Sequence, residues 1–183
     1  MAQLWRTFGD LVPVLILVVA ALAVTIPLIA RTSPRRRRTV FSVLYAGWAI
    51  CVGAVTLAPA AGQRGRAVEL VPFQSIVTLL TDSVSWEVAA AQIGGNVLLF
   101  VPLGVLLEAQ RPSSSVARRV KRAGLIASGA AVGIELVQYA VGFGRVASID
   151  DVILAVAGAL VGSLLIAALL AARSAVTPAD VSR

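Results

Sequence analysis

The stretch "VGIELVQYAVGFGRVASIDDVILA", Val132 to Ala155, places two apolar runs on either side of a short polar connection. Glu135 stands inside the first run, and Arg145, Asp150 and Asp151 follow within sixteen residues. Near the bilayer centre a charged side chain costs at least ~2.5 to 3.5 kcal/mol on insertion scales, so a carboxyl at position 135 needs a partner or a task. A connection as short as Gly144 to Asp150 joins antiparallel neighbours, which makes the stretch a helical hairpin.

Outward from the hairpin the chain continues in the same style. Its 183 residues are 58% hydrophobic, well above the 45 to 50% or so of a soluble domain. Five runs approach the ~20 residues that span hydrocarbon: Leu11 to Ala30, Thr39 to Ala58, Val88 to Glu108, Ala123 to Phe143, and Val152 to Ala172. Ala21-Leu22-Ala23 loosely resembles a signal-peptide cleavage site, but apolar sequence continues beyond it, so the first run is read as a retained span. The expected architecture is all-α: a polytopic membrane protein with five transmembrane helices, forming one helical domain over residues 1–183. No internal repeat or long linker divides it.

The net charge of +7 and the pI near 11.2 do not point to nucleic acid. The basic residues lie between apolar runs and aromatics are only 5% of the chain. Twelve of the sixteen cations fall on one side: Arg31, Arg35 to Arg38, the Arg111 to Arg122 connection, Arg173 and Arg183. The positive-inside rule then puts the N-terminus outside and the C-terminus in the cytoplasm. Cys51 is the sole cysteine and histidine is absent, which excludes an intrachain disulfide and a Cys/His zinc site. No metal or cofactor is assigned.

On the outer side, "VPFQSIVTLL" (Val71 to Leu80) has Pro72 suited to a first helical turn, followed by Phe73, Ile76, Val77 and Leu80 at helical spacing. A short interfacial or re-entrant helix is expected there. Trp5 and Trp86 lie at interface depth, whereas Trp48 and Cys51 are read as packing residues. Gly129 and Gly133, and again Gly158 and Gly162, have the spacing that lets helices approach closely.

Measured from the outer ends of their runs at ~1.5 Å per residue, Asn96 and Glu135 both lie roughly 12 Å in. Gln138 shares a face with Glu135, and the turn brings Arg145 near Asp150 and Asp151. Together they outline a polar funnel opening outward. Structural roles are also available: interhelical hydrogen bonding for Asn96, and a Ser148-x-x-Asp151 capping box with acids at a helix N-terminus for the aspartates.

"VPFQSI" (Val71 to Ile76), "GGNVLLFVPLG" (Gly94 to Gly104), "IELVQ" (Ile134 to Gln138) and "GRVASIDDVILAVAGALVG" (Gly144 to Gly162) resemble, in order, the motifs of the VanZ-like family. The likeness covers roughly residues 38–172. It carries over to Pro72, Phe73, Asn96, Phe100, Pro102, Gly104, Glu135, Gln138, Arg145, Asp150, Asp151 and Gly158. The family usually has an asparagine four residues after its second aspartate, where this chain has Ala155. The resemblance implies a small protein of the bacterial cytoplasmic membrane, from a family whose founding member is linked to low-level teicoplanin resistance. A phosphotransbutyrylase label attached to some members finds no nucleotide or acyl-CoA motif here.

The favoured reading is a binding protein that recognises a polar envelope lipid or lipid-linked precursor through Asn96, Glu135, Gln138, Arg145, Asp150 and Asp151, with the Phe73 helix capping the opening. Arg145 takes an anion bidentately in this reading, and the two aspartates hold Arg145 in place. The rivals are an intramembrane enzyme, with Glu135 as general base and Asp150/Asp151 on a hard cation, and a proton-coupled transporter. The enzyme lacks an evident activated serine or cysteine, and the transporter lacks an internal repeat. Protein partners are not legible.

Overall fold

The computed structural model describes residues 32–56, 67–82, 86–141 and 146–176, with Leu17, Val18, Ala21, Leu22, Thr25, Ile26 and Ile29 of the preceding segment. In chain order the elements are α1 (Pro34–Thr56), β1 (Ala67–Glu69), α2 (Gln74–Asp82), α3 (Trp86–Gln110), α4 (Val116–Val141), β2 (Val146–Ser148) and α5 (Ile149–Val176). Helices α1, α3, α4 and α5 are each long and apolar enough to cross a membrane, so the chain is an all-α, multi-pass membrane protein. They correspond to the last four expected spans. The first, Leu11 to Ala30, is described at seven residues only. All seven are helical, and Leu22 and Ile26 are buried against Phe41, Val101, Val105, Leu106 and Ile166.

The tightest joint is between α3 and α5. A Cβ added at Gly158 would collide with the Val97 carbonyl, one at Gly162 with the Val101 carbonyl, and one at Gly104 with the Ala159 carbonyl. The two backbones therefore touch, and the buried Ser163 hydroxyl donates to the Gly104 carbonyl at 3.1 Å. Without a hydrophobic force between helices in lipid, such close packing is what holds spans together. The expectation for Gly129 and Gly133 is corrected: a Cβ at either meets nothing within 4 Å. Helix α4 instead turns Ala123, Ala127 and Ala131 to the core. At 100° per residue Gly129 lies roughly 200° from Ala131, on the opposite side of the helix.

Helix α1 is fastened through Trp48, whose indole N–H donates to the Leu99 carbonyl at 2.8 Å and whose ring meets Phe100 edge-on at 5.6 Å. At one end of the bundle Glu108, 1% exposed, accepts hydrogen bonds from Arg122 (2.6 Å) and the Ser113 N–H (2.7 Å) and forms an ion pair with Arg119 at 3.1 Å. Two of the twelve cations counted on one side of the chain are thus the partners of a buried carboxylate at the α3–α4 turn. Breaking such a pair on one side costs about 3 to 5 kcal/mol, which makes this a structural joint.

The opposite end carries a feature that was not expected. β1 and β2 pair in parallel, Ala67 with Val146, Val68 with Ala147 and Glu69 with Ser148. This ladder ties the segment leading into α2 to the segment leading into α5. It turns what was read as two separate loops into one clasp.

Candidate functional site

The α1 C-terminus, the α4 C-terminus and the α5 N-terminus meet at the clasp end of the bundle. Between them and α3 lies a cavity of about 60 Å³ lined by Thr56, Asn96, Glu135, Gln138 and Asp151, with Phe100 and Ile134 among its apolar walls. That is room for a few waters or one small polar group, far below the ~300 to 1,000 Å³ of a pocket that engulfs a drug-sized ligand.

Side chains from three helices are cross-linked around it. The Asn96 amide donates to Asp151 Oδ1 at 2.6 Å, and the Gln138 amide donates to the Thr56 carbonyl at 2.6 Å. Glu135 Oε2 accepts the Ser148 N–H at 3.2 Å. This gives Glu135 its partner, the first free N–H of the next helix. Ser148 is the N-cap of α5, with its hydroxyl accepting the Asp150 N–H at 3.2 Å. In a capping box the reciprocal acceptor is the residue at N3, here Asp151. Glu135 takes that place from α4, while Asp151 turns to Asn96. Glu135 lies six residues before Val141, the last described residue of α4, and Asp151 is in the first turn of α5.

Asp150, 1% exposed, faces away from the cavity and serves a different helix. Its Oδ1 accepts the Phe73 N–H at 2.5 Å and its Oδ2 the Ile76 N–H at 3.1 Å. Those amides are the N-cap and N3 donors of α2, groups that have no partner within their own helix. Upstream, the Gln74 N–H reaches the Val71 carbonyl at 3.3 Å, and Phe73 has φ of 65°. This is a turn of type II character, with Pro72 at its second position and a non-glycine residue at the third, where glycine or asparagine is usual. Pro72 is therefore a turn residue, not the first residue of the helix. The clasp is closed by Ser75, which donates to Glu69 Oε2 at 2.5 Å and lies 2.9 Å from the Ser148 hydroxyl. Because Ser75 spends its proton on Glu69, Ser148 is the donor between the two hydroxyls.

The VanZ/LLP1 family model matches residues 41–171, from the first turns of α1 almost to the end of α5. The chain belongs to the VanZ/LLP1 family. No curated protein and no solved structure matches it. The described parts of the four motif segments supply the turn before α2, the middle of α3, the last turns of α4, and β2 with the first half of α5 in this VanZ/LLP1 bundle, so they build both the clasp end and the α3–α5 joint.

Of the seven residues expected to form a site, Asn96, Glu135, Gln138 and Asp151 line the cavity. Asp150 lies beside it as the cap of α2. Phe73 contributes its backbone N–H, and its side chain is exposed and outside the lining. Arg145 lies outside the described residues. Among the described residues no three His, Cys, Asp or Glu side chains are grouped to hold a metal ion, and Asp150 and Asp151 face different partners. Sequence reasoning missed Thr56, Glu69 and Ser75. Thr56 acts through its backbone carbonyl, which no side-chain motif reveals. Ala155, in place of the usual VanZ-like asparagine, is fully buried among Val52, Leu99, Phe100 and Leu103. An apolar contact stands where the family amide would be.

Proposed function

We propose that this VanZ/LLP1 protein binds the polar headgroup of an envelope lipid or lipid-linked precursor at the outer leaflet of the bacterial cytoplasmic membrane. By occupying or displacing that ligand it lowers accumulation of a lipoglycopeptide such as teicoplanin at the surface. The supporting observation is the convergence of Asn96, Glu135, Gln138 and Asp151, from three helices, on one shallow cavity at the clasp end. That end is opposite the Glu108–Arg119–Arg122 joint, so the positive-inside rule turns it outward. The apolar faces of α2, with Phe73, Val77 and Leu80 exposed, suit it to lie in the adjoining interface. In this reading Arg145 takes the anionic part of the ligand, an assignment that comes from its place in the sequence.

Orientation is tested in a Cys51→Ala background. A cysteine at Thr81 should react with an impermeant thiol reagent added to whole cells, and one at Ser114 should not. Labelling at Ser114 alone would move the cavity to the cytoplasmic side and remove the outer-leaflet reading.

The binding reading is tested by Glu135→Gln. Glutamine keeps an acceptor for the Ser148 N–H, so folding and membrane abundance should hold, while the charge is lost. A charge-assisted hydrogen bond is worth about 1.5 to 3 kcal/mol, so lipid copurifying with the protein should fall at least ~10-fold. Unchanged retention at equal abundance would leave Glu135 as the cap of α5 and nothing more.

A further inference from the structure

The end of the bundle opposite the clasp gathers positive charge that its own carboxylates do not answer. Helix α1 runs antiparallel to α3: Phe41 is buried against Val105 and Leu106, and the Tyr45 hydroxyl donates to Gln110 Oε1 at 3.4 Å. Arg122 Nη1 donates to the Arg111 carbonyl at 2.7 Å, so the start of α4 lies at the same place. Arg35 to Arg38 open α1, Arg118, Arg119, Lys121 and Arg122 fall in the first two turns of α4, and Arg111 follows the last residue of α3. Among the described residues of these helix ends Glu108 is the one carboxylate, and Arg119 and Arg122 take it. That leaves Arg35 to Arg38, Arg111, Arg118 and Lys121 exposed and without an ion pair among the described residues. Neither α1 nor α4 has an acid in its first turn. Cations there oppose the helix macrodipole, which favours an anion at an N-terminus, so an arriving anion is drawn by the side chains and the dipoles together.

The same cations head apolar stripes. On α1, Arg36, Val43 and Ile50 recur at seven-residue spacing and share a face, and both apolar members are exposed. On α4, Arg118 and Lys121 stand seven and four residues before the exposed Leu125, and the exposed Val132 and Leu136 continue that face. The surface is complementary to an amphiphile, positive at the head and oily along the side. We propose that it seats an anionic phospholipid of the leaflet at this end, with the phosphate among the free cations and the acyl chains along the two stripes. Basic clusters beside a membrane span are what anionic headgroups bind. A soluble polyanion would use the charges and leave the stripes unused. This surface is separate from the clasp-end cavity and does not rest on lipid binding there.

The experiment uses the full chain in detergent, where orientation in the cell does not enter, with lipid retention read by native mass spectrometry. The probes are phosphatidylglycerol, phosphatidic acid, phosphatidylethanolamine and phosphatidylcholine with the same acyl chains. Each anionic lipid should be retained at least ~10-fold over the two zwitterionic ones. Arg111→Gln, Arg118→Gln and Lys121→Gln combined should remove most of that preference, while Glu108, Arg119 and Arg122 stay in place to hold the α3–α4 turn. Should the triple variant fail to fold, Arg36→Gln with Arg38→Gln is read instead and should lower the preference at least ~5-fold. Equal retention of all four lipids overturns the proposal. A preference that survives the substitutions puts the lipid elsewhere and overturns this site while leaving the clasp-end reading intact. Glycerophosphoglycerol, which lacks acyl chains, should compete only weakly; full competition would identify a free phosphate ester as the ligand and overturn the lipid source. Displacement of phosphatidylglycerol by polyglutamate or an oligothymidylate at equal charge would identify a soluble polyanion and overturn it likewise.

Discussion

Gly158→Ala and Gly162→Ala should each destabilise the protein by about 3 kcal/mol, whereas Gly129→Ala and Gly133→Ala should change it by less than about 0.5 kcal/mol. All four add a single methyl to a transmembrane helix, so transfer and propensity terms are the same. The surroundings differ. At Gly158 and Gly162 the new Cβ is driven into the backbone carbonyls of Val97 and Val101, which cannot move without parting α3 from α5. At Gly129 and Gly133 it meets open space. Denaturant unfolding in mixed micelles, followed by tryptophan fluorescence, measures the four side by side. Equal effects at all four positions would show that α3 and α5 are not in backbone contact in the membrane.

Asp150→Ala should release α2 from the bundle. It strips the Phe73 and Ile76 amides of their shared acceptor, at about 1 to 3 kcal/mol for each donor left unsatisfied. A carboxylate at a helix N-terminus adds up to ~2 kcal/mol in a partly buried setting. The unfavourable φ of Phe73, of order 1 kcal/mol or more, would no longer be held in place. A nine-residue helix has little stability of its own to set against these losses. Hydrogen exchange over residues 71–82 should therefore rise at least ~100-fold, with α3 and α5 remaining protected. Asp150→Asn, which retains one accepting oxygen, should fall between the two. Unaltered protection of residues 71–82 in Asp150→Ala would mean that α2 is held by its apolar contacts alone.

The four described spans, the short helix α2 and the convergence of Asn96, Glu135 and Gln138 were legible in the chain because each depends on a local rule. Crossing hydrocarbon requires ~20 apolar residues whose backbone bonds are all internal. Two residues equally far from the same surface on antiparallel helices lie at the same height, whichever way those helices are rotated. Rotation itself was not legible. Gly129/Gly133 and Gly158/Gly162 have the same spacing, yet only the second pair meets a neighbour. The choice is made by which face packs against α3, a property of the assembled bundle. The same holds for the partners of the ionisable groups. Ser148-x-x-Asp151 reads as a self-contained cap, but Glu135 from α4 completes it, and Asp150 caps a helix more than seventy residues earlier in the chain. The β1–β2 clasp consists of two three-residue strands, too short to show alternation, and joins segments that lie far apart in the chain. Local sequence thus determined what each segment is and which polar residues share a height along the bundle. Tertiary packing decided which donor each acceptor meets, because a buried N–H donates to whatever oxygen the neighbouring helix brings within reach.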